Sequence, residues 1–128
     1  MGALSDLGLT TADGGILLIS APDSVLAEAG AMKPRPAFVS NLLTAHPAPR
    51  ILWWPERHHL EPGTMRRLAW MVTNAPGEAW LVVDPEEEDS PSPEAVRTAL
   101  HETGLEFVEE APIGRGEIAV RVRPAQGT

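Results

Sequence analysis

Two stretches of this chain, Ile16-Leu17-Leu18-Ile19 and Ala79-Trp80-Leu81-Val82-Val83, are apolar at every position. A strand with one wet face alternates polar and apolar residues, so a short unbroken run bounded by turn residues marks a strand buried on both sides. Such strands belong to parallel sheets covered by helices on both faces. At 128 residues there is room for one domain with a modest core, burying about two thirds of the surface of the unfolded chain.

The remaining segments can be read against that requirement. Gly14-Gly15 introduce the first strand, and Pro22-Asp23 open a short helix through Leu26 and Ala29 that stops at Gly30, a left-handed terminator. Lys33-Pro34-Arg35-Pro36 is extended, and residues 37–40 form a short second strand near a sheet edge. Residues 41–49 are too few and too rich in proline for a crossover helix with its own strand, so one unit usual in such sheets is missing. Residues 50–54 form the next strand, ended by Pro55, which lacks a ladder donor. Pro62, Gly63 and Thr64 then lead into a helix with Met65, Leu68, Ala69 and Val72 on one stripe, widened by Trp70 and Met71 and terminated at Asn74-Ala75-Pro76-Gly77.

Residues 79–84 make the central strand. After the acidic loop 85–91, Ser92 is the N-cap of a helix, Pro93 its first residue, Glu94 a favourable charge for the macrodipole, and Gly104 its C′ residue; Val96, Ala99 and Leu100 face the core. Residues 105–109 and 117–122 close the sheet as an antiparallel pair joined through Pro112 and Gly114. Ile118, Val120 and Val122 alternate there with Glu117, Arg121 and Arg123. The expected organisation is an N-terminal segment 1–14, an α/β domain 15–124 and a tail 125–128.

Composition excludes several functions. Eighteen Asp plus Glu against ten Lys plus Arg give a formal charge of −8, which opposes binding to a nucleic-acid backbone; Arg66-Arg67 and Arg115, Arg121 and Arg123 read as solvated faces. The absence of cysteine removes disulfides, thiolate metal sites and cysteine nucleophiles. No apolar run approaches a membrane span. Residues 1–6 lack the charged and apolar regions of a secretory signal, so a cytoplasmic location is expected.

A strand, a helix after a turn, a central strand ending in Asp84, a further helix and a closing antiparallel pair together resemble the C-terminal half of class I S-adenosylmethionine-dependent methyltransferases, with residues 16–30 as the first βα unit. The chain is similar also to short bacterial proteins of unassigned function that look like methyltransferases pared down to this length, on Ala21-Pro22-Asp23 after an apolar strand and a short helix ending in Gly30. The resemblance implies a three-layer, mostly parallel, twisted Rossmann-like sheet, truncated, with a C-terminal antiparallel strand pair. In working methyltransferases it also implies a glycine-rich turn after the first strand, so that the backbone can approach the cofactor, and an acidic residue at the end of the second strand to hold the ribose. Here the turn is Ser20-Ala21-Pro22-Asp23-Ser24, and Ser40-Asn41 stand at the second position, where an amide lacks the paired acceptance of a carboxylate. The aromatic or acidic residues expected after the fourth strand of such enzymes fall around Trp54, Pro55 and Glu56.

Other groupings point to less. Glu56, His58, His59 and Glu61 offer metal-ligand chemistry, but adjacent histidines on an extended segment diverge and no HExxH spacing is present, so no metal is expected. Glu86-Glu87-Glu88-Asp89 reads as a self-repelling surface loop. Ser20, Ser24 and Ser40 lack a nucleophile elbow, and no catalytic residue is assigned. Four tryptophans are many for this length; Trp53 and Trp54 fall on opposite faces of one strand, and a truncated sheet leaves one face thinly covered, a motive for self-association. The expectation is a non-catalytic binding module without cofactor, acting as a homodimer or on a protein partner. The alternative is an S-adenosylmethionine- or nucleotide-binding enzyme or sensor that uses Asp23, Asn41, Trp54 and Asp84.

Overall fold

The first apolar run forms β1 (Leu17–Ile19), flanked by parallel neighbours on both edges: β2 (Ala37–Val39) and β3 (Arg50–Trp53). The computed structural model describes residues 3–9, 15–33, 35–74, 78–101, 103–113 and 116–125. β4 (Glu78–Val83) adds in parallel to β3, and β5 (Leu105–Ile113) and β6 (Glu117–Pro124) close the sheet antiparallel, in the order β2-β1-β3-β4-β6-β5. The truncated α/β sheet with its antiparallel pair is therefore as expected, β2 lies at an edge, and no strand lies beyond it among the described residues.

Period-two alternation sends the strand side chains into two cores. On one face Leu17, Ile19, Ile51, Trp53, Leu81, Val83, Val120 and Val122 pack under α3 (Pro62–Asn74) and α4 (Pro93–Ala99). On the other, Ile16, Leu18, Leu52, Trp80, Val82 and Ala119 pack under α1 (Ala3–Asp6) and α2 (Asp23–Gly30). The second face is not thinly covered. Leu4 on α1 is 1% exposed within it, so residues 3–9, assigned to a separate segment on sequence grounds, pack onto the domain. Trp53 and Trp80 are buried and Trp54 is partly buried at the margin of the second core.

Local signals hold in α4 and less well elsewhere. Ser92 accepts the Ala95 N–H at 3.0 Å as N-cap, with Pro93 opening the helix. The C-terminal readings need correction. Ala31, in right-handed conformation, caps α2, so Gly30 is not a left-handed terminator. Leu100 caps α4, and Gly104, at φ 85°, instead turns the chain into β5. Trp70 does not widen the buried stripe of α3: it is 46% exposed, with the Arg67 guanidinium 4.5 Å over its ring, while Met71 is fully buried. The last pair is longer than expected, since Pro112 lies inside β5 opposite Ile118. Gly14, Pro34, Ala75-Pro76-Gly77, Gly114 and Arg115 lie outside the described residues.

Removing the cap in Ser92→Ala is expected to lower stability by about 1 kcal/mol. Leu52→Ala, which empties the middle of the α1/α2 core, should lose about 2–5 kcal/mol. Urea unfolding of both variants, read as a midpoint shift at constant slope, checks the two values.

Candidate functional site

In an open α/β sheet the ligand crevice forms at the carboxyl edge where successive connections leave for opposite faces. Here α2 follows β1 onto one face and α3 follows β3 onto the other, and β1 and β3 are neighbours. The switch point therefore lies at Ser20 and Trp54. Two cavities meet there, one on each side of the edge, and Ser20 lines both.

The turn after β1 is held by the protein's own hydrogen bonds. Ser20 has φ 57°, a left-handed conformation uncommon outside glycine. Its N–H donates to the Val39 carbonyl at 3.0 Å and its hydroxyl to the Ser40 carbonyl at 3.0 Å, so the ends of β1 and β2 are tied together. The Trp54 N–H donates to the Ile19 carbonyl at 3.1 Å and extends the β1–β3 ladder one step further. Pro22, the N-cap of α2, offers no N–H and no side-chain cap.

The first cavity, about 420 Å³, is lined by Ser20, Pro22, Ser24, Trp54, Pro55, Glu56, Val82, Asp84, Glu87, Asp89, Ser90 and Glu117. Among these described residues five are carboxylates and none is a cation. Its floor is ordered: the Asp84 N–H donates to Ser90 Oγ at 2.8 Å, and Asp84 Oδ1 accepts the Glu86 N–H at 3.0 Å. Arg57 ties the loop from outside, its N–H donating to the Asp89 carbonyl at 2.8 Å and its Nε to the Ser90 carbonyl at 3.1 Å. The acidic run is solvent-exposed, as expected, yet its backbone is a folded turn. The Trp54 indole N–H is buried without a partner.

The second cavity, about 500 Å³, includes Ser20, Ser40, Asn41, Trp53, His58, His59, Glu61 and Thr64 in its lining. Asn41 Oδ1 accepts the Leu43 N–H at 2.9 Å and caps the 3₁₀ turn Leu42–Thr44, so that oxygen already has a structural task. Of the four residues assigned to a cofactor on sequence grounds, Trp54 and Asp84 share the first cavity, Asn41 lines the second, and Asp23, exposed on the first turn of α2, is among the lining residues of neither.

Residues 57–59 form a 3₁₀ turn, not an extended segment, so the two imidazoles do not diverge. Their centroids are 4.1 Å apart. Sequence reasoning also missed the strained Ser20 and the bracing by Arg57. Neither has a local signal, because a serine in left-handed conformation and an arginine facing a distant carbonyl look like any other serine and arginine.

Solved structures that match this architecture include methyltransferases. Magnesium protoporphyrin IX methyltransferase from Synechocystis PCC 6803, with bound S-adenosylmethionine, matches 90% of this chain and 74% of its own at 10% identity and a TM-score of 0.56. An O-methyltransferase from neocarzinostatin biosynthesis, in complex with S-adenosyl-L-homocysteine, matches 89% of this chain at 12% identity and a TM-score of 0.63, and this chain spans 50% of its length. The antibiotic-resistance methyltransferase Kmr matches over 94% of this chain and 90% of its own at 15% identity and a TM-score of 0.57. No family model matches the sequence, and no curated protein matches it either. At these identities the likeness establishes the fold: a class I methyltransferase-like sheet in shortened form.

Ser20→Val places a β-branched side chain at φ 57° and removes the link to Ser40, and is expected to destabilise the protein by about 1–3 kcal/mol. Ser20→Gly relieves the backbone while losing the same link, and should stay within about 1 kcal/mol of the parent. Chemical denaturation of the pair separates strain from hydrogen bonding.

Proposed function

We propose that this chain is a methyltransferase-like domain that works by binding a protein partner and not by transferring a methyl group. The observation that carries this reading is the Ser20 hydroxyl donating to the Ser40 carbonyl. An adenosyl ligand held at the end of β1 needs close backbone approach and free N–H donors. At this edge the Ser20 N–H and hydroxyl are spent on β2, Pro22 has no N–H, and Asn41 Oδ1 caps its own turn. Among the described residues at this edge, the Ser20 hydroxyl donates to a backbone carbonyl and the Ser90 hydroxyl accepts a backbone N–H. The acidic first cavity suits a cationic segment of another protein, in keeping with the net charge of −8. A second copy is the simplest alternative occupant of the surface, and exposed Phe38, Leu43 and Trp70 are the large apolar side chains such a contact would cover.

A second reading is favoured by one feature, the unpartnered indole N–H of Trp54 beside a cavity of about 420 Å³. On this reading the domain still takes S-adenosylmethionine or a related nucleotide, with Trp54 and Asp84 against it and Asp23 and Asn41 nearby. The solved proteins that carry S-adenosylmethionine or S-adenosyl-L-homocysteine lend it support through their shared fold.

Thermal-shift and calorimetric titration with S-adenosylmethionine and S-adenosyl-L-homocysteine, up to millimolar concentration, separates the two. The binding-module reading expects no saturable response. A saturable response that disappears in Asp84→Ala or Asp23→Ala would install the cofactor reading in its place. Light scattering at micromolar concentration reports on self-association: a mass of two chains that falls to one in Trp70→Ser or Leu43→Ser is the expected result for a homodimer, and a single-chain mass for the parent removes that form of the proposal.

A further inference from the structure

Beside Trp53, Glu56 from the lining of the first cavity and His58 and His59 from that of the second bring one carboxylate oxygen and one nitrogen from each imidazole to within 4.8 Å of one another. We infer that these three residues form a binding site for a single divalent transition-metal ion, zinc by preference. The cluster shares Glu56 with the acidic first cavity but does not rest on the partner-binding reading above.

The chemistry of the donor set selects the ion. Two neutral imidazoles and a carboxylate are borderline ligands that suit zinc and its transition-metal neighbours, whereas magnesium and calcium require oxygen throughout. Tetrahedral zinc with bonds of about 2.0–2.2 Å holds its ligands about 3.4 Å apart, so the three atoms need to close by about an ångström. His58 is exposed and free to swing, its Nδ1 already stands 3.9 Å from Glu56 Oε2, and the Glu56 carboxylate, which caps the His59 N–H, has two oxygens to divide between the cap and the ion.

The backbone beneath them does not need to move. His59 N–H donates to the Glu56 carbonyl at 2.9 Å and Leu60 N–H to the Arg57 carbonyl at 3.2 Å, which closes the turn. Arg57, whose side chain is not a ligand, anchors the middle of that turn to the Asp89 and Ser90 carbonyls. Ligands on a braced turn lose less freedom on binding than ligands on a loose loop.

Glu56 and His59 form a capping box, each side chain accepting the other's backbone N–H, and the bond to His59 must be exchanged. The Glu56 N–H donates to His59 Nδ1 at 3.1 Å, so the neutral ring carries its proton on Nε2. The unprotonated nitrogen that can turn to a metal is therefore Nδ1, and coordination replaces a solvent-exposed hydrogen bond that water can restore to the Glu56 amide. Three protein ligands leave the fourth position to water, the pattern of an open zinc site and not of a closed structural one. His58 and His59 themselves line the cavity that they share with Ser20, Asn41 and Glu61.

The test uses the full chain after chelator treatment, titrated with zinc chloride by calorimetry and with cobalt chloride by visible absorption. One equivalent is expected to bind, with cobalt bands of four-coordinate intensity. His58→Ala, His59→Ala and Glu56→Gln should each weaken zinc binding at least tenfold, with unchanged circular dichroism, while His46→Ala and His101→Ala leave it as in the parent. Proton NMR should show two of the four imidazoles shifting on zinc addition. No binding in the parent, or equal affinity in a His58→Ala/His59→Ala double variant, overturns the site; equal shifts of all four imidazoles would mean adventitious surface binding and overturn it as well.

Discussion

Everything in this structure depends on β1 being buried on both faces and paired on both edges. Only three residues long, it sends Leu17 and Ile19 into one core and Leu18 into the other, and it holds β2 and β3 on either side. A strand so placed requires helices above and below, which α1 and α2 supply on one face and α3 and α4 on the other. The helices leave adjacent strands in opposite directions as a result. The crevice at Ser20 and Trp54 is thus a consequence of the core, and hydrogen bonds from Ser20 to Val39 and Ser40 tie the ends of β1 and β2 together beside it.

The open sheet has two edges, β2 and β5, and both are blunted. At one edge β2 has only three residues and follows Arg35 and Pro36 directly, and proline cannot donate to an added strand. At the other, β5 carries a register irregularity between Phe107 and Glu109 and has Pro112 in its length. Charge finishes that edge. Arg123 donates to Glu106 at 2.7 Å, Arg97 pairs with Glu110 across to α4, and Arg121 bridges Glu78 and Glu109 while lying over Trp80. Partial burial works to lower the Arg121 pKa, but hydrogen bonding and charge from Glu78, then Glu109, outweigh it, so the guanidinium is held charged. Edges of this kind resist strand addition, which directs any association toward side-chain surfaces.

Much of the architecture was legible because it rests on contacts between near neighbours in sequence. The apolar runs of β1 and β4, the stripe of α3 and the Ser92-Pro93 start of α4 each state a local preference that the packing then satisfies. Errors fell where the local signal was real but the tertiary context overrode it. Gly104 adopts the left-handed conformation expected of a terminator, yet does so at the entry to β5. Trp70 is apolar by composition, yet its position on α3 faces outward and Arg67 lies across it.

The sequence by itself determined a truncated α/β sheet with an antiparallel closing pair, because hydrophobic period and turn chemistry are properties of short segments. Tertiary structure alone decided what stands at the carboxyl edge: the Ser20–Ser40 link, the acidic wall around Trp54, the paired imidazoles of His58 and His59 and the anchoring of their turn by Arg57. These join residues from different strands and loops, or depend on a backbone turn that no residue type announces. Their geometry exists only once the sheet has brought the chain ends of its strands side by side.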